Sequence, residues 1–210
     1  NLKPGEKFRD TLKNYNYENE CLKEVNTINI QMDNTIQSYQ INIEDEVFSN
    51  MNFLSSNSKK DYKYIDSLSF IKKKGQDYVF DIGSYFIEDP LIVPNGYNLV
   101  IQNGTQIYFA KGTFIHVVNG DFLSLGKENK VNKFTAFEDT WGGILVSNSS
   151  GSNIKNTIFE KTDYFNNKIS NIYLTGAINF YNSKVNFHRV NFLDSIAEDS
   201  LNIINSEFIL

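Results

Sequence analysis

The tightest constraint on what this chain can fold into is that it says nearly the same thing twice. "GAINFYNSKVNF", Gly176 to Phe187, comes back as "DSLNIINSEFIL", Asp199 to Leu210. A unit this short cannot bury its own apolar face, so copies of it must stack on one another. Further copies are found by aligning apolar-x-apolar triplets: Leu99/Ile101, Leu123/Leu125, Ile144/Val146, Ile178/Phe180 and Leu201/Ile203, spaced by 24, 21, 34 and 23 residues. The long step is accounted for by one insertion, Glu160 to Thr175 ("EKTDYFNNKISNIYLT"), after which the pattern returns in register.

A second column supports the first: Ile107/Phe109, Phe134/Ala136, Ile154, Val185/Phe187 and Phe208/Leu210. A weaker third runs through Ile115/Val117, Thr157/Phe159 and Val190/Phe192. Two or three short strands per repeat, stacked in parallel, is the architecture these columns predict. Four repeats place an asparagine two residues past the first triplet: Asn103, Asn148, Asn182 and Asn205. Asparagine tolerates the left-handed backbone of a sharp bend, and stacked amides hydrogen-bond to each other, so an asparagine ladder is expected there. The Leu123 repeat departs from it with Gly126 and a longer turn. "IHVVN", Ile115 to Asn119, matches locally but falls out of phase with the column and is read as coincidence.

The first third reads differently. Phe8, Leu12, Tyr15, Leu22 and Val25 fall near helical spacing, which predicts an amphipathic helix over 6–25. "TINIQMD" and "SYQINIEDEVF" alternate like strands about a turn at Asp33-Asn34, and Ser55 to Lys63 is a polar linker. The expected organisation is an N-terminal segment, 1–75, able to cap the stack, followed by the repeats over 76–210. The final repeat stops partway, which suggests a longer natural chain. The opening has neither initiator methionine nor an apolar leader.

Composition narrows the function. The chain has 210 residues, and 20 Lys+Arg against 25 Asp+Glu give a net charge of −5. Its arginines are Arg9 and Arg189, so a nucleic-acid partner, which needs clustered cations to displace phosphate counterions, is not expected. No apolar run has the length of a membrane span. The single cysteine, Cys21, cannot form an internal disulfide.

The ordered run "PLIVPNGYNLVIQNGTQIYF", "GDFLSLG", "TWGGILV", "LTGAINFYNSKVNF" and "AEDSLNIINSEFIL" resembles right-handed parallel β-helix proteins of the pectate-lyase-like superfamily. Within it, the chain is most similar to exported bacterial β-helix repeat proteins, some joined to or near spore-coat-H-like kinase domains. The resemblance covers about residues 76–210. It implies an all-β solenoid of about 22-residue coils, an extracellular or cell-surface location, and a polysaccharide or another protein as partner. Its lyases use calcium on Asp/Glu and a basic residue as proton acceptor. Calcium is the one ion it implies, and the residues here supply no dedicated cofactor site.

Candidate chemistry is sparse. His188, Arg189, Asp194, Glu198 and Asp199 gather acid, base and cation within twelve residues, enough for general acid/base work or calcium if they converge. They also straddle a turn, where charges are ordinarily solvated, and no acidic column recurs between repeats. Glu138 and Asp139 make a second acidic pair with too few oxygens for calcium by themselves. For binding, Trp141 offers a sugar-stacking face, or else covers the bend at Gly142-Gly143. Tyr164, Phe165 and Tyr173 lie on the insertion, where a repeat protein commonly carries function, unless the loop folds back and buries them. His116 alternates with Ile115 and Val117 and so points outward. The preferred expectation is non-catalytic binding of a glycan or protein partner. A polysaccharide lyase or hydrolase and an assembly scaffold are the alternatives.

Overall fold

The computed structural model describes residues 27–32, 35–40, 63–167 and 172–210, with side chains from 64 onward. The chain divides into two compact units, Asn1–Ser49 and Asn50–Leu210. In the first unit, β1 (Thr27–Met32) and β2 (Thr35–Gln40) form an antiparallel hairpin with Met32 opposite Thr35. The second strand thus begins earlier than "SYQ". The helix expected over 6–25 and most of the polar linker lie outside the described residues.

Among its described residues, the second unit is all-β apart from α1 (Lys63–Ser67). After the antiparallel pair β3 (Ile71–Lys74) and β4 (Asp77–Phe80), its long-range strand pairing is parallel and falls into three rows. Row one holds β4, β7 (Asn98–Ile101), β10 (Phe122–Leu125), the first half of β13 (Ser152–Glu160), the first half of β17 (Lys184–Leu193) and β19 (Glu207–Ile209). Row two holds β5 (Ser84–Ile87), β8 (Gln106–Phe109), β11 (Asn132–Ala136) and the second halves of β13 and β17. Row three holds β6 (Leu91–Val93), β9 (Ile115–Val118), β12 (Ile144–Ser147), β16 (Gly176–Tyr181) and β18 (Asp199–Ile204). The chain visits the rows in the same order on every pass. Between β13 and β16 it adds the antiparallel hairpin of β14 (Phe165–Asn167) and β15 (Ile172–Leu174), which is the insertion read from sequence.

The in-register pairs explain the repeat. Ile144, Ile178 and Leu201 align, as do Val146, Phe180 and Ile203. Two expectations about the columns are corrected. Row three continues back through Ile115/Val117 and Leu91/Val93, not through Leu99 and Leu123, which belong to row one. The early columns are therefore one row out of phase with the later ones. Leu123/Leu125 is also off by one residue: Phe122 and Ser124 are the fully buried pair and face inward, and a slip of one flips the face of a strand. The reason is Ser124, an inward polar residue that breaks the apolar alternation. It bonds Thr157 at 2.8 Å and accepts from the Asn132 amide at 3.0 Å, while Asn132 Oδ1 accepts the Thr105 N–H at 3.0 Å. The buried polar atoms thus satisfy one another, which removes their desolvation penalty.

The interior is filled by aliphatic residues and by buried aromatics such as Phe80, Phe122 and Phe180, and row two holds an aromatic stack in which Phe134, Phe159 and Phe192 are in register. Phe134 to Phe159 and Phe159 to Phe192 are 5.1 and 5.6 Å apart. At the first edge, α1 drives Ile65 into the core, and the Tyr64 hydroxyl accepts the Glu88 N–H at 3.0 Å. β3 covers β4 and carries Lys72, Lys73 and Lys74 on exposed positions, a charge pattern that discourages further strand pairing.

Candidate functional site

Each pass changes direction at three corners, and the corners differ in chemistry. Between rows three and one lies the asparagine ladder. Asn148, Asn182 and Asn205 all have positive φ, at 56°, 48° and 48°. The Asn182 amide donates to Asn148 Oδ1 at 2.7 Å, and Asn205 donates to Asn182 Oδ1 at 3.3 Å. Asn119 (φ 53°) occupies this corner one pass earlier and donates to Asn95 at 2.7 Å. Asn103 instead sits at the corner between rows one and two, so it is replaced by Asn119, whose "IHVVN" carried the pattern after all. A parallel hydroxyl ladder stands beside the amides: Ser149 N–H donates to Ser183 Oγ at 3.1 Å, and Ser183 N–H to Ser206 Oγ at 2.9 Å. A recess of about 770 Å³ follows this corner, lined by the ladder residues with Ile203 and the Lys184–Glu207 pair, and it holds no aromatic face.

The residues considered for catalysis do not converge. His188 and Arg189 lie at the bend in β17, where Arg189 has φ 54° and pairs with Glu128 at 2.7 Å. Asp194 is five strand positions further on, about 16 Å at the usual rise of a strand. Glu198 and Asp199 follow on the next turn and strand. Among the described residues no three His, Cys, Asp or Glu are placed to hold a metal ion. Glu138 and Asp139 are exposed, and Asp139 pairs with Lys111 at 2.7 Å, which holds its carboxyl below the usual range and raises the lysine.

Trp141 is corrected from binding face to core. It is fully buried, lies flat against Phe109 at 4.1 Å and 7°, and donates its indole N–H to the Glu160 carbonyl at 3.0 Å. The glycines after it serve close packing: a Cβ on Gly143, at φ 70°, would overlap the Ala177 carbonyl. Phe165 is buried too, 4.9 Å from Phe114. With Ile172 it seals the outer face of row three over Ile92, Phe114 and Leu145. His116 does point outward, yet the same cover buries it completely, with both ring nitrogens unpartnered and its ring edge against Phe165. Burial alone pushes its pKa down to about 4.

Two of the aromatic candidates remain in solvent. Tyr164 and Tyr173 are exposed, with ring centroids 5.0 Å apart. Tyr164 forms part of the wall of a cavity of about 470 Å³ at the corner between rows two and three, together with Lys111, Thr140, Asp163 and Asn166. Stacked turns build this cleft. Gly142 N–H donates to the Thr113 carbonyl at 2.6 Å, Trp141 N–H to the Lys161 carbonyl at 3.1 Å, and Asp163 N–H back to the Trp141 carbonyl at 2.7 Å. Asp163 Oδ1 accepts the Tyr164 N–H at 2.8 Å, which holds the backbone that carries the ring.

Protein-family models, curated proteins and solved structures hold no match to this chain. Its function has to be argued from the site itself.

The outer face of row two adjoins the cleft. Phe86, Tyr108, Thr135 and Glu160 succeed one another across the strands. Phe86 and Phe137 are exposed and meet edge-on at 5.1 Å. Glu160 pairs with Lys133 at 2.7 Å and accepts the Thr135 hydroxyl at 2.8 Å, which keeps its carboxyl low. Sequence periodicity missed this aromatic pair. The outward positions of "SYFI" and "FTAF" were the available signal, since inward residues already filled the columns.

Proposed function

We propose that this chain is a right-handed parallel β-helix of the exported, surface-associated kind, and that it holds a glycan without transforming it. The three rows of in-register parallel strands and the asparagine ladder support the solenoid reading. They are also what likeness to the pectate-lyase-like superfamily would lead one to expect. The observation that carries the binding reading is the exposed Tyr164–Tyr173 pair beside a cleft of about 470 Å³. Aromatic faces left in water beside a cleft that mixes apolar residues with Lys111, Thr140, Asp163 and Asn166 suit the apolar face and hydroxyl rim of a pyranose. The row-two face with Phe86, Tyr108 and Phe137 extends the same surface.

The test is a glycan array with the parent and a Tyr164→Ala/Tyr173→Ala variant. The expected result is retention of at least one glycan by the parent and about tenfold weaker binding by the variant, with an unchanged melting temperature. Retention of no glycan, or equal retention by both proteins, overturns the reading.

A further inference from the structure

Charge is sorted by corner, and the corner that builds the cleft is acidic. The turns stacked there carry Glu88, Asp89, Glu138, Asp139 and Asp163 against Lys111 and Lys161. Lys111, which also lines the cavity, pairs with Asp139 at 2.7 Å, and Lys161 lies 3.5 Å from the Glu138 carbonyl. Asp163 lines the cavity itself and has no ion pair among the described residues. Its bonds to the Tyr164 N–H and, at 3.3 Å, to the Thr140 hydroxyl leave further lone pairs of the carboxylate for a donor. The acids are spread along the stacked turns and do not converge into a metal site among the described residues. They therefore act as a field and as one fixed acceptor beside the aromatic rim.

We infer that the cleft beside Tyr164 takes a glycan bearing free amines, a polymer of glucosamine-like units, and disfavours the acidic sugars that the superfamily resemblance implies. The inference rests on the glycan reading above and adds the sign of the ligand's charge. An ammonium group donates to the Asp163 carboxylate as a charge-assisted hydrogen bond, the stronger kind. Its ring stacks on Tyr164, and the neighbouring acids raise the local concentration of a cationic chain. A uronate in the same place would set its carboxylate against Asp163, while Lys111 of the same lining is paired with Asp139 at 2.7 Å.

Three oligosaccharides of equal length separate the possibilities: a glucosamine oligomer with free amines, its N-acetylated counterpart, and an oligogalacturonate. Binding is measured by calorimetry at low and high salt to the parent, Asp163→Asn, Tyr164→Ala, and Glu207→Gln. The last removes one negative charge at a residue that does not line the cleft. The expected result is that the amine form binds about tenfold tighter than the acetylated form, losing that margin in Asp163→Asn and at high salt but not in Glu207→Gln. Equal binding of amine and acetylated forms, or preference for the galacturonate, overturns the charge inference and leaves the glycan reading standing. Equal weakening by Asp163→Asn and Glu207→Gln also overturns it, because attraction to the whole acidic protein then suffices. Binding of none of the three overturns the charge inference, and the glycan reading is then decided by the array alone.

Discussion

Single residues in this protein carry backbone and solvation costs that can be measured one at a time. Arg189 stands at a positive-φ corner that Asn156 occupies on the preceding pass. Asparagine tolerates that left-handed backbone better than arginine because its short amide bonds locally, as Asn156 does to the Gly126 carbonyl at 3.0 Å, and the exposed pair with Glu128 returns little. Arg189→Asn is expected to raise stability by about 1 kcal/mol in chemical denaturation. His116 makes a pH prediction. Its folded pKa is depressed to about 4, so the folded state holds it neutral while the unfolded chain takes a proton near its ordinary 6.5. The contribution is whole above the unfolded value and is lost as pH falls through that window, at about 1.4 kcal/mol per pH unit. Denaturation at pH 7 and pH 5 should show His116→Leu losing distinctly less stability than the parent.

At the scale of elements, the corners and the rows can be separated experimentally. Asn182 both donates and accepts in the ladder and holds a left-handed backbone, so Asn182→Ala should cost about 2 kcal/mol. Asn103→Ala, outside the ladder, should lie within about 0.5 kcal/mol of the parent. Truncating Trp141 should cost about 3–5 kcal/mol, the range for a buried aromatic, whereas Tyr164→Ala should leave the melting temperature alone. These contrasts show what sequence could carry. Strand existence was legible because alternation is local. Row assignment was not, because parallel partners are separated by a full pass and Ser124 hides the phase. Trp141 and Phe165 were ambiguous for the same reason: which side of an aromatic meets water is decided by what the next pass and the inserted hairpin lay over it.

For the second unit as a whole, stacking leaves two kinds of surface: edges that must be closed and faces that are free to vary. At the first edge, α1 and the lysines of β3 do the closing. Around the sides, chemistry is partitioned into an amide-and-hydroxyl corner, an acidic corner with the aromatic cleft, and the row-two face. The amide corner was visible as a recurring asparagine, whereas the acidic corner and the row-two face were not, since their residues come from turns a full pass apart and repeat no residue type. The step from Asn148 to Asn182 spans 34 residues and the step from Asn182 to Asn205 only 23, yet both rungs close with the same amide bond. The frame therefore does not count the residues between rungs. The inserted hairpin of β14 and β15 therefore behaves as an exchangeable cassette, plugged into the wall by Phe165 and Ile172. A foreign recognition loop that supplies two apolar plugs at those positions should seat on the same frame, so the scaffold can acquire a new ligand without relearning how to fold.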